Sequence, residues 1–269
     1  MLHVNDFWLK YQGTSEWTLR SIDFEVKLGE LVVIAGPSGS GKSTLAQAIL
    51  GLIPGFIPAV TKGLIMLDSK EINVIDRSLL LQKIGYLPQY PADFTTTMVV
   101  EEEIAFPLEN QGLSKRTINA RIKDVLKTLN ITHLSSKLMT ELSSGELQRV
   151  SFATALALSP PILILDEPMA RIDPKSEILL VRILEKLAKA GHLILAFEHR
   201  LDYLLTAADQ ILFIDEGTIQ AKGPPREILE KMKGVDVPEV SEIAIDEKNQ
   251  RPIDISEALA LLQAIDLPF

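Results

Sequence analysis

The chain has 269 residues, 46% of them apolar, with 27 basic and 36 acidic side chains and a formal charge of −9. That length is enough to bury a large core, as one big α/β domain or two smaller ones. The acidic balance argues against nucleic acid as the main partner, because phosphate backbones need a basic footprint. There are no cysteines, which excludes disulfides and thiolate chemistry and leads us to expect a reducing compartment.

The start, Met1-Leu2-His3-Val4-Asn5-Asp6, has no basic stretch followed by an apolar one, so no secretory leader is expected. Residues 2–36 alternate apolar and polar in pieces (Leu19, Ile22, Phe24, Val26) and predict antiparallel strands. The apolar run Leu31-Val32-Val33-Ile34-Ala35 then leads into Gly36-Pro37-Ser38-Gly39-Ser40-Gly41-Lys42-Ser43-Thr44. This is the pattern Gly-x-x-x-x-Gly-Lys-Ser/Thr between a strand and a helix, a cradle for a nucleoside triphosphate. Gly36, Gly39 and Gly41 are expected to take torsions closed to other residues. Loop N–H groups and the following helix N-terminus then face the phosphates. Lys42 is expected to pair with the β- and γ-phosphates and the Ser43 hydroxyl to hold Mg²⁺.

Further strands are expected at 63–67 and 84–87, and helices at 98–108 and 114–129. In the second helix Ile118, Ile122, Val125, Leu126 and Leu129 share one face. A helical pattern over 143–158 gives way to Pro161-Ile162-Leu163-Ile164-Leu165, a continuous apolar run ending in Asp166-Glu167. That is the pattern of a strand covered on both faces of a parallel sheet. A helix over about 175–190, a strand at 193–197, a short helix, and strands at 211–215 and 218–221 complete an alternating β/α order, which implies a parallel sheet covered by helices. A helix restarts at 226–232. From about 235 the chain is more acidic and Pro-dotted, with an amphipathic piece at 256–264. No apolar run approaches a membrane span, so any membrane role is expected to be peripheral.

Asp166, ending a buried strand beside the phosphate loop, can hold Mg²⁺. Glu167 lies one residue further into the cleft, where it can orient or deprotonate a water attacking the γ-phosphate. Leu142-Ser143-Ser144-Gly145-Glu146-Leu147-Gln148-Arg149 reads locally as a Ser-capped helix start, with Glu146 closing a capping box. The same stretch resembles the signature motif of ATP-binding-cassette (ABC) ATPases, usually Leu-Ser-Gly-Gly-Gln followed closely by Gln-Arg. Ser144 stands in place of a glycine and Glu146 in place of the glutamine. The order of phosphate loop, signature and Asp-Glu strand is also similar to that family.

The resemblance implies a P-loop NTPase fold of the ABC type: α/β, with a parallel-sheet core, an antiparallel β subdomain and a helical signature subdomain at about 90–160. The cassette is expected over 1–232, with a short C-terminal extension over 233–269 that supplies a dimer contact. The resemblance implies further roles. Tyr11 stacks on adenine, Gln89 contacts Mg²⁺ and water, and His199 touches the γ-phosphate. Ser143, Ser144, Gly145 and Glu146 close on ATP held by a second cassette. The flanks of His199 depart from the usual Thr-His-Asp, reading Glu198-His199-Arg200. Ala170-Arg171-Ile172-Asp173 occupies a loop usually written Ser-Ala-Leu-Asp, and Arg171 is unusual there. Ser144 and Arg171 together raise the expectation that one composite site of a dimer is weaker.

Residues 97–110, with Val100, Glu102, Ala105, Phe106, Glu109 and Asn110, resemble the ATPase subunits of energy-coupling-factor (ECF) transporters. This implies an ATP-hydrolysing subunit on the cytoplasmic face of the cell membrane. Its partners would be an identical or paralogous cassette, a transmembrane coupling subunit and a substrate-binding membrane subunit, in an importer of vitamins or metal ions. The alternative is a soluble cassette ATPase acting on DNA or ribosomes, and a third option is a small-molecule kinase.

Overall fold

The computed structural model describes residues 1–170, 172–201 and 203–229. Arg171 and the expected extension at 233–269 lie outside the described residues.

Two sheets organise the chain. The first is antiparallel: β1 (Leu2–Tyr11) lies between β2 (Leu19–Val26) and β4 (Ala59–Leu67), and the short β5 (Lys70–Glu71) adds to β4. Here the alternation read from sequence holds, since Ile22, Phe24 and Val26 are buried and Ser21, Asp23 and Glu25 are exposed. The second sheet has the order β10-β9-β3-β8-β7-β6, from β3 (Leu31–Ala35), β6 (Ile84–Leu87), β7 (Ile162–Asp166), β8 (Leu193–Glu198), β9 (Gln210–Asp215) and β10 (Thr218–Gly223). Its pairs are parallel except β9–β10, an antiparallel hairpin.

One expectation is corrected. Residues 2–36 do not form a single antiparallel set, because β3 crosses to the second sheet and pairs in parallel with β8 and β9. The reason is in its composition. All five β3 residues are buried, which only a strand covered on both faces requires. Leu31, Val33 and Ala35 join the core under the signature helices. Val32 and Ile34 join the core shared with the antiparallel sheet. β7 and β8 divide the same way, so the second sheet is the wall between two cores.

Helix α1 (Lys42–Ile49) follows the phosphate loop, and α2 (Arg77–Lys83) precedes β6. The sequence reading missed α2. Its Leu79 and Leu81 are exposed and only Leu80 is buried, so no apolar stripe marks it; its start is set by Asp76, whose carboxylate accepts from Ser78 and Leu79 N–H. Between β6 and β7 lie α3 (Val100–Asn110), α4 (Lys115–Thr128) and α5 (Ser144–Leu156). The expected face of α4 is the buried one: Ile118, Ile122, Val125 and Leu126, continued by Leu129. Then come α6 (Pro174–Lys189), α7 (Leu204–Ala207) and α8 (Pro225–Ile228). No helix among the described residues is long and apolar enough to cross a membrane.

Candidate functional site

The carboxyl ends of β3, β7 and β8 and the end of β6 bring most of the singled-out residues together. Parallel strands place their C-terminal loops on one edge, where open α/β sheets bind ligands. From β3 the chain enters the 36–44 loop. Gly39 and Gly41 have φ of +82° and +102°, as expected for torsions that favour glycine. Gly36 is different: its φ is ordinary, and the constraint is space. A Cβ there would sit 2.1 Å from the carbonyl oxygen of Ile214.

Lys42 is 5% exposed, and its Nζ donates to the carbonyls of Gly36 at 2.7 Å and Pro37 at 2.9 Å. Burial pushes its pKa below the ordinary lysine value, against the opposing pull of Glu167, Asp166 and Glu198. The ammonium thus holds the start of the loop, where Gly36 N–H donates to Glu198 O at 3.3 Å and Ser40 N–H to Pro37 O at 3.2 Å. Pro37, Ser38 and Ser40 complete the loop, with Ser40 buried. Thr44 is buried in α1 and its hydroxyl lies 3.0 Å from that of Tyr11 at the end of β1. This contact ties the aromatic singled out for adenine to the phosphate loop.

Ser43 Oγ donates to Asp166 Oδ1 at 3.3 Å. Burial raises the pKa of Asp166, opposed first by the Ser43 hydrogen bond. A hydroxyl and a buried carboxylate side by side form a hard-oxygen pair, which suits Mg²⁺ completed by phosphate oxygens and water. The residues therefore fit that ion. Sequence reasoning assigned no role to Tyr86, yet its hydroxyl hydrogen-bonds Asp166, and burial holds the phenol above its ordinary pKa. The signal was register: Tyr86 pairs with Ile164, two residues before Asp166, and a strand repeats its face every two residues.

Glu167 leaves β7 with φ +48°, a left-handed conformation that non-glycine residues seldom adopt and that clusters at functional sites. Its N–H donates to Phe197 O at 2.9 Å, fixing the turn against β8. Gln89 Nε2 donates to Glu167 Oε2 at 2.6 Å, and His199 Nδ1 lies 3.5 Å from Oε1. Two of the three residues named as catalytic from sequence, Gln89 and His199, thus meet at the carboxylate of the third, Glu167.

Residues 143–146 form a separate group. Ser143 caps α5, its Oγ accepting from Glu146 N–H at 3.3 Å, and Glu146 Oε2 accepts from Ser143 N–H at 2.8 Å. The capping box is present as read, and the hydrogen bonds that the Glu146 carboxylate accepts from the N–H and hydroxyl of Ser143 hold it below the usual carboxylate pKa. Ser144 is the first residue of α5. Gly145 is buried, and a Cβ on it would meet Ser176 Oγ at the start of α6 at an ordinary contact distance of 3.4 Å. The contacts of Ser143, Gly145 and Glu146 run to one another, to Lys137 and to the α6 start, not to the phosphate loop. The buried Gln148 one turn later donates to Pro168 O at 3.0 Å, which connects α5 to the segment after Glu167.

Outside this cleft, α3 borders an apolar groove of about 430 Å³ lined by Leu81, Tyr86, Pro88, Phe94, Pro107 and Leu147.

Comparison with known proteins matches residues 19–170 to a family described as ABC transporter. A relative from Pyrococcus horikoshii, named as an ABC transporter ATP-binding protein, is 36% identical over 236 residues, which cover 87% of this chain and 82% of the relative. Another with that name, from Streptomyces coelicolor, is 33% identical, and the match spans 41% of its length. Among solved structures, cbiO1 from Clostridium perfringens, described as part of the ABC transporter complex cbiONQ, superposes with TM-score 0.77 at 30% identity, covering 86% of this chain and 90% of that one. An ABC cassette described as a dimeric post-hydrolysis state bound to ADP and Pi superposes with TM-score 0.71 at 25% identity, covering 84% and 99%.

Proposed function

The chain belongs to the ABC transporter ATP-binding family and carries its ATP-binding ATPase domain, and from that premise we propose that it is the energising subunit of an ECF-type importer. The observation that carries the catalytic part of this reading is the convergence of Gln89 and His199 on Glu167, beside the Ser43–Asp166 pair.

In the proposed roles, residues 36–44 and Lys42 bind the triphosphate, and Tyr11 takes the adenine. Ser43, Asp166 and Gln89 hold Mg²⁺, which when bound neutralises charge on the β- and γ-phosphates. Glu167 orients the attacking water and accepts its proton. Gln89 keeps the Glu167 carboxylate aimed, and His199 donates to the γ-phosphate. Ser143, Ser144, Gly145 and Glu146 serve the nucleotide of a second cassette, because a helix N-terminus with a capped serine is an anion site. Ser143, Gly145 and Glu146 make their contacts with one another, with Lys137 and with the start of α6, which supports a dimer, identical or paralogous, as the hydrolytic unit.

The ECF assignment is supported by the 97–110 run and by likeness to cbiO1. In this reading the chain sits on the cytoplasmic membrane face, and the apolar groove beside Pro88 receives a helix of a transmembrane coupling subunit that works with a substrate-binding membrane subunit. Mg²⁺, vitamin or metal-ion cargo and these subunits all belong to the proposal.

The test is purification of the tagged protein from native membranes in mild detergent, with every co-purifying chain identified. A cassette with one or two small polytopic proteins is the expected result. Recovery of only soluble partners, nucleic acid or ribosomes would overturn the transporter reading while leaving the ATPase domain in place.

A further inference from the structure

The two residues flanking His199 face different partners in the segment downstream of Glu167. Glu198 ends β8 and is 1% exposed. Its carboxylate accepts from Met169 N–H at 2.8 Å through one oxygen and from His199 N–H at 3.3 Å through the other. Arg200 N–H also donates to it. On the far side of His199, the Arg200 guanidinium lies 3.9 Å from the buried carboxylate of Glu177 in α6. The segment they reach begins at Glu167, includes Pro168, whose carbonyl is held by Gln148, and continues to the α6 cap Asp173.

A carboxylate in this place is costly, since burial and the nearby Glu167 charge both oppose ionisation. Satisfying backbone N–H groups on two separate segments is what a short side chain at 198 cannot do. We propose that Glu198 and Arg200 are positioning residues that clamp the His199 turn to the 167–177 segment, so that His199 and Glu167 keep a fixed separation during hydrolysis. The same clamp connects His199 through Pro168 and Gln148 to the signature helix α5. The inference rests on the roles proposed above for His199 and Glu167.

The experiment compares ATP turnover and fluorescent-nucleotide affinity in the full-length protein, purified with the chains that accompany it. The variants are Glu198→Ala, Glu198→Gln, Arg200→Ala and His199→Ala, alone and in pairs with His199→Ala. Glu198→Ala is expected to lower kcat about 10- to 100-fold, the cost of misplacing a reacting group, with nucleotide affinity unchanged. Glu198→Gln, which keeps the shape and one acceptor, is expected to restore most of the rate. Arg200 is 44% exposed on its side chain, so Arg200→Ala makes no cavity and is expected to lower kcat in the same direction. In the His199→Ala background neither substitution is expected to slow the residual rate further, because both act through His199.

Unchanged kcat in both Glu198→Ala and Arg200→Ala, with His199→Ala slowed, overturns the clamp alone. So does full additivity with His199→Ala. Full turnover in His199→Ala overturns the role of His199 and the clamp with it. If Glu198→Ala does not fold, Arg200→Ala, alone and paired with His199→Ala, decides the matter by the same criteria.

Discussion

The side-chain amide of Gln89 donates to a carboxylate oxygen of Glu167 at 2.6 Å. Gln89 follows β6 and Glu167 follows β7, and the two strands pair in parallel, so adjacent strand ends aim both side chains into one cleft. A general base needs its carboxylate held in one orientation. Here an amide holds one oxygen, and in the proposed role of base the oxygen on the His199 side takes the proton.

Replacing that carboxylate while keeping its shape separates binding from chemistry. Glu167→Gln is expected to leave ATP affinity intact, to lower turnover by about 100-fold or more, and to accumulate an ATP-bound dimer. Turnover assays together with gel filtration in ATP read all three. Wild-type turnover in this variant removes Glu167 from the role of base.

The Ser43–Asp166 pair makes a metal prediction. Chelation of divalent cations is expected to stop hydrolysis, and added Mg²⁺ to restore it. Asp166→Asn is expected to raise the Mg²⁺ concentration for half-maximal turnover about 10-fold or more. An Mg²⁺ titration identical to that of the wild type would place the ion elsewhere.

The cap formed by Ser143 and the nucleotide contact proposed for it are separable. As the cap of α5 it satisfies Glu146 N–H, so Ser143→Ala is expected to cost about 1 kcal/mol of stability by denaturant unfolding. In the role proposed for it, Ser143 also serves the nucleotide of a second cassette. Its turnover is therefore expected to fall well beyond what the stability loss explains, while ATP affinity of the separated subunit stays the same. Equal turnover per folded molecule would leave Ser143 a cap only.

Glu198 supplies a pH dependence. Burial, with Glu167 nearby, pushes its carboxyl from 4.5 to about 8, against the hydrogen bond from Met169 N–H. The folded-state pKa is therefore above the unfolded one. Stability from this group is fully present below pH 4.5 and is lost as pH rises through about 8, because the unfolded chain ionises first. The slope is about 1.4 kcal/mol per pH unit inside that window. Denaturant unfolding between pH 5 and 8.5 is expected to show a steeper loss in wild type than in Glu198→Gln. Parallel curves would mean that Glu198 ionises in the folded protein as it does in the unfolded chain.

Much of the site is local and therefore legible. The phosphate loop needs glycine where φ is positive, at Gly39 and Gly41, and a capping box needs serine and glutamate three apart, as in Ser143 and Glu146. Both demands fall within a few residues of sequence. The parallel character of β7 was legible too, because a strand buried on both faces has no polar alternation to show. The same sign in β3 is masked by the alternating β2 just before it, and α2 gives no sign because it buries a single leucine.

What the sequence by itself determined was the inventory: a triphosphate loop, an acidic strand end, a capped signature helix and the order in which they come. The tertiary structure alone decided which of them meet. Ser43 and Asp166 are 123 residues apart, and Gln89 and Glu167 are 78 apart. They are joined by parallel strand pairing, which sets the strand order without regard to chain distance. Burial is decided in the same way. Glu198 looks in sequence like an ordinary solvated carboxylate at a strand end. Only the closure of the Met169 and His199 backbones around it makes it a buried acceptor, because desolvation depends on neighbours that the chain brings from elsewhere.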